Sequence, residues 1–113
     1  MPKITKERKG EYLKECLRVL FEKGGECPSA VLIKEMGNRL NLSDHEKGLN
    51  NSGQYNWITH FRFSSIGLVK AGLIQKKKGL WLLKDKEYDF ESLIPLEIKN
   101  LSDGAYDNWK TDK

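Results

Sequence analysis

Residues 47–84 carry seven basic side chains (Lys47, Arg62, Lys70, Lys76, Lys77, Lys78 and Lys84) and no carboxylate. The whole chain has 16 acids in 113 residues, so a stretch of this length would ordinarily hold about five. The flanks differ: residues 1–46 hold nine Lys/Arg and eight acids, and residues 85–113 four Lys and eight acids. A surface that faces phosphates explains such a gap, because a carboxylate there would oppose binding; a chance fluctuation in a part-buried segment is the bland alternative. Inside the window, Arg62 has the donor fork that fits a guanine edge, and Gln54 and Asn56 have the amides that fit adenine. Thr59, His60 and Ser65 are further candidates for base or phosphate contact, and Lys76, Lys77 and Lys78 for phosphate contact. Against this stands an ordinary polar helix surface followed by a solvated turn.

Other chemistries find less support. Glu97-Ile98-Lys99, with Asp89 eight residues before Glu97, has the acid-x-Lys spacing of a metal-dependent nuclease, in which two acids hold Mg²⁺ and a lysine lies near the attacking water. Only a short stretch of chain remains to fix such ligands, and Pro95 interrupts the strand that should carry Glu97, so a solvated acidic tail is the preferred reading. Cys16 and Cys27 form no CxxC pair, and His45 and His60 lie at no ligand spacing from them. Cys16 falls on an apolar stripe and reads as a buried free thiol. The sequence therefore predicts no catalytic site, no metal and no cofactor.

These residues need elements to position them. Leu13, Cys16, Leu17, Leu20 and Phe21 recur at helical spacing, which predicts a helix over about Lys6–Lys23, closed by Gly24-Gly25. Pro28 suits the first turn of a second helix, with Leu32, Ile33, Met36 and Leu40 inward, and Ser43 with Glu46 has capping-box spacing. Residues 48–56 read as a loop. Trp57, Phe61, Ser64, Leu68 and Ala71 then share one face of a third helix that Gly72 ends. Off that stripe lie the candidate contact residues, together with Phe63 and Ile66, which face a modified base, the wing or a partner subunit. Leu73-Ile74-Gln75 and Leu80-Trp81-Leu82-Leu83 flank Lys76-Lys77-Lys78-Gly79 as a β-hairpin with a basic tip. The expected fold is α+β, mainly α: a winged helix with a three-helix helix-turn-helix core and a β-hairpin wing. In that fold the third helix enters the major groove and the wing touches backbone.

The residues also resemble a known family. Leu17-x-x-Leu20 with Gly24-Gly25-Glu26, then Ser29, Leu32-Ile33, Met36 and Arg39-Leu40-x-Leu42-Ser43-Asp44, is similar to the N-terminal domain of Mrr-like, modification-dependent restriction endonucleases. So is Phe63-Ser64-x-x-x-Leu68-x-Lys70-Ala71-Gly72-Leu73-Ile74 followed by Lys78-Gly79-Leu80-Trp81-x-Leu83, for a match over about residues 12–88. The resemblance implies a winged-helix domain that brings a nuclease to DNA, often modified DNA. Departures fall at Phe63, where the family often has Trp, at Ser65, where Arg is common, and at Gly67, where a larger and usually aromatic residue stands. They bear on sequence preference rather than on fold.

The expected organisation is a winged-helix DNA-binding domain over residues 1–90 and an acidic C-terminal tail or linker over 91–113. The expected partners are double-stranded DNA, methylated or not, and a nuclease domain in the same or a partner chain; a homodimer stays open. No apolar run approaches the roughly 18–20 residues that cross a bilayer, and the N-terminus has no signal-peptide pattern, so a cytoplasmic location is expected. A free-standing transcriptional repressor and a protein-interaction winged helix are the alternatives in function.

Overall fold

The computed structural model describes residues 4–111. Helix α1 (Lys6–Glu22) starts where the Thr5 hydroxyl accepts from the Arg8 amide at 3.0 Å, satisfying one of the amides a helix start leaves without a partner. It ends where the amides of Gly24 and Gly25 reach back to the carbonyls of Phe21 and Leu20. Its buried face holds Tyr12, Leu13, Cys16, Leu17, Val19 and Leu20. Phe21, expected on that stripe, is instead 55% exposed, one step past its edge, with its ring meeting Phe90 edge-on.

A strand that periodicity does not reveal follows. β1 (Glu26–Pro28) buries only Cys27, so it carries no alternation to read. Pro28 therefore ends a strand and stands before α2 (Ser29–Arg39), rather than in the helix's first turn. α2 buries Leu32 and Met36. The short α3 (Asp44–Lys47) has both halves of the Ser43–Glu46 capping box. The loop after it closes through an isolated bridge between Leu49 and Tyr55, with the Asn50 side-chain oxygen accepting from the amides of Ser52 and Gln54.

α4 (Asn56–Lys70) buries Trp57, Phe61, Ser64 and Leu68 as its spacing predicts, while Ala71 just beyond it is half-buried. An aromatic row runs through the centre: Tyr12 meets Trp57 edge-on at 5.8 Å, and Phe61 stacks on Trp81 at 5.4 Å. β2 (Ile74–Lys77) and β3 (Leu80–Leu83) form the expected hairpin, and β1 adds to its β3 edge, giving an antiparallel sheet of order β1-β3-β2. Trp81 and Leu83 point inward from β3. The architecture is α+β and mainly helical.

The expected boundary at residue 90 has no counterpart in the packing. Phe90 is buried, and Lys14 of α1 donates to the carbonyls of Glu91 and Leu93. Residues Pro95–Thr111 form a helix, α5, that packs along α1 and α4. Two helix-interior glycines make that fit. A Cβ on Gly10 of α1 would stand 2.0 Å from the Pro95 carbonyl oxygen, and one on Gly67 of α4 would stand 2.0 Å from Ser102 Oγ. The missing bulk at Gly67 is thus filled by α5, with Ser102 Oγ donating to the Ser64 carbonyl at 2.8 Å.

Candidate nucleic-acid interface

The outward side of α4 carries Thr59, Arg62 and Phe63 exposed and Ile66 half-buried, with Gln54 exposed just before the helix. Helical geometry brings 59, 62, 63 and 66 onto one patch, since residues three and four apart are neighbours. Phe63 is 71% exposed, the most open large apolar side chain among the described residues, so it does not pack beneath the wing.

Arginine use separates Arg62 from the rest. Arg8 holds Glu46 at 2.8 Å, Arg18 holds Glu15 and Glu91, and Arg39 holds Glu22 at 2.7 Å. Arg62 has no carboxylate partner among the described residues. The three paired arginines brace α1 against α2, α3 and the 90–94 segment; Arg62 braces nothing and is exposed on α4.

The hairpin turn exposes Lys77 and Lys78. Lys76 does something different. Its ammonium donates to Ser65 Oγ at 2.6 Å and lies 4.3 Å from the centre of the Trp81 ring. Burial pulls its pKa below the ordinary lysine range, and the Arg62 charge adds to that. Ser65 is fully buried and also donates to the Arg62 carbonyl at 2.7 Å. Two expectations change as a result: Ser65 cannot reach DNA, and Lys76 ties the hairpin to α4 instead of extending the basic tip.

Asn56 and His60 are also partly committed. The Asn56 amide donates to the His45 carbonyl at 2.8 Å and is half-buried, while Thr59 Oγ1 accepts from Asn50 at 3.0 Å yet stays exposed. His60 is half-buried and lines a cavity of about 420 Å³ between α1, α4 and α5. Burial, then the charges of Lys9 and His45, hold its imidazole below the usual histidine range, which favours the neutral ring. The structure thus gathers Thr59, Arg62, Phe63 and Ile66 on one face, with Lys77 and Lys78 on the hairpin that Lys76 bonds to α4. It withdraws Ser65 and Lys76, half-withdraws Asn56, and turns His60 towards the cavity.

The acid-x-Lys element lies on a helix. Glu97 accepts from the Ile94 amide at 2.9 Å at the start of α5, Asp89 caps the turn at Ser92, and buried Lys99 is ion-paired with Asp103. These three side chains are committed to separate partners. Among the described residues no group of three or more His, Cys, Asp or Glu is arranged to hold a metal ion, and both cysteines are free and buried. No described helix is long and apolar enough to cross a membrane. No protein-family model, curated protein or solved structure matches the chain.

Proposed function

We propose that this chain is a winged-helix module that binds double-stranded DNA, with α4 in the major groove and the β2–β3 turn on the backbone. The carrying observation is Arg62: exposed on α4, without a carboxylate partner among the described residues, inside a 38-residue stretch that has no acid. A cation that neutralises no protein carboxylate is available to phosphate or to a guanine edge. The element order α1-β1-α2-α3-α4-β2-β3 and the sheet order β1-β3-β2 agree with a winged helix, to which α5 is an addition. On the Mrr-like resemblance, the module is the non-catalytic, modification-sensing part of a cytoplasmic restriction system and delivers a nuclease domain located elsewhere.

A second reading has its own support. Leu49, Tyr55 and Phe63 are 64%, 50% and 71% exposed, and apolar side chains in the open favour a protein partner for this face. Electrophoretic shift on a mixed-sequence duplex separates the two. A retarded complex lost in the Arg62→Ala variant supports DNA binding, and the absence of any complex at low salt favours the protein-interaction module.

A further inference from the structure

The cavity between α1, α4 and α5 opens beside the outward face of α4. Thr59 and Phe63, both exposed on that face, also line its space of about 420 Å³, inside the roughly 300–1,000 Å³ range of small-molecule sites. Its floor lies at Gly67, where an added Cβ would stand 2.0 Å from Ser102 Oγ of α5. The helix added to the winged-helix elements thus walls a chamber against the helix that the DNA reading places in the major groove.

Its lining selects by shape and by charge. Phe63 from α4 and Tyr106 from α5 supply aromatic faces. The Tyr106 wall is braced: the Trp109 ring centre lies 5.7 Å from its own, and the Lys70 ammonium of α4 sits 3.9 Å from the centre of the Trp109 ring. Such walls suit a flat ring. The charged lining groups are already engaged, Lys99 and Asp103 with each other and Lys9 with an interaction of its own, so none is spare for an ionic ligand. His60 in its neutral form offers one donor and one acceptor, and the Thr59 hydroxyl adds a further polar group. A flat, uncharged ring with hydrogen-bonding edges matches this lining. We propose that the cavity receives a single nucleobase extruded from the bound duplex, stacked against Phe63 and Tyr106 with its polar edge towards His60. The proposal rests on the DNA reading, since only a duplex on α4 presents a base at this mouth.

Extrusion costs unpairing and unstacking energy, and costs least for a base without a partner. Three mixed-sequence duplexes exploit that difference: one fully paired, one with a single base opposite an abasic site, and one abasic on both strands at that position. Fluorescence anisotropy at fixed low salt should show the full chain binding the orphan-base duplex about tenfold tighter than the other two, since one base–aromatic stack is worth about that factor. The doubly abasic duplex is as flexible but has no base to insert, so it separates a pocket from a preference for bendable DNA. Tyr106→Ala, checked for folding by its melt, should erase the preference. A second readout needs no variant: in the wild-type chain the backbone amides of Gly67 and Ser102 should shift with the orphan-base duplex and not with the doubly abasic one. Equal affinity for those two duplexes, an undiminished preference in a folded Tyr106→Ala variant, or unresponsive amides at Gly67 and Ser102 would each overturn the pocket and leave duplex binding standing. No complex with any of the three would remove the DNA reading, and this site with it.

Discussion

Replacing Gly67 by alanine sets helix propensity against packing. Glycine inside a helix costs about 0.8–1.0 kcal/mol relative to alanine, so propensity alone makes Gly67→Ala a stabilising change. The structure says otherwise, because the new Cβ would stand 2.0 Å from Ser102 Oγ and 2.1 Å from the Ser102 carbonyl oxygen, one of them backbone. Reaching ordinary contact requires α5 to move by about 1.4 Å, a forced overpacking that costs about 1–3 kcal/mol. The same movement stretches the Ser102–Ser64 hydrogen bond, worth about 0.5–1.5 kcal/mol. The net expectation is a loss of about 1–3 kcal/mol, or a melting temperature lower by roughly 4–12 °C. Gly104 is the internal control: it lies within α5 with nothing within 4 Å of an added Cβ, so Gly104→Ala should raise stability by up to about 1 kcal/mol. Thermal and urea melts followed by circular dichroism read both. If Gly67→Ala stabilises the chain as Gly104→Ala does, α5 does not seat on α4 as described.

Glu46 predicts an acid limb. Burial raises its pKa and is outweighed by Arg8, the Ser43 amide and Tyr12, leaving it at about 2 against an ordinary 4.5. A folded-state pKa below the unfolded one adds stability above pH 4.5 that is lost as pH falls towards 2; urea melts across that window should show a smaller loss for Glu46→Gln, and parallel losses would count against the Arg8–Glu46–Tyr12 network. Arg62→Ala should change sequence preference as well as affinity, since a bidentate base contact is worth about 1–3 kcal/mol. A uniform drop on all duplexes would make Arg62 a backbone contact. Matched duplexes with and without N6-methyladenine or 5-methylcytosine should differ by about 0.8 kcal/mol if Phe63 covers the methyl group, and Phe63→Ala should erase the difference; equal affinities at fixed salt would remove modification sensing.

What the sequence made legible follows from periodicity. α1 and α4 each repeat apolar residues at a spacing only a helix explains, and the expected stripes are buried except at Phe21 and the half-buried Ala71, while Tyr12, Val19 and Ser65 are buried beyond them. β1 was illegible because three residues with one buried side chain carry no period. α5 was illegible for a different reason. Its buried residues are Ile98, Lys99 and Ser102, a face mostly polar by composition, and it fits because glycines elsewhere, at 10 and 67, leave room for it. That complementarity lies in pairs of distant residues and in neither alone. The same limit applies at the interface. Exposed Arg62 was readable from its position off the apolar stripe, whereas the Lys76–Ser65 bond joins two polar residues that both looked outward-facing. Lys9 on α1 and Asp103 and Tyr106 on α5 line one cavity only because α5 packs against α1, and no local signal marks them.

The most direct test is the salt dependence of duplex binding for the wild type and for a Lys77→Ala, Lys78→Ala double variant, with Lys76 left in place to hold Ser65 and Trp81. Each phosphate neutralised contributes about 0.9 to the slope of log K against log salt on duplex DNA, so the double variant should flatten the slope by up to about 1.8 while melting like the wild type. Binding that ignores salt, or a wild-type slope in the folded double variant, would contradict a phosphate-gripping hairpin and with it the placement of α4 in the groove.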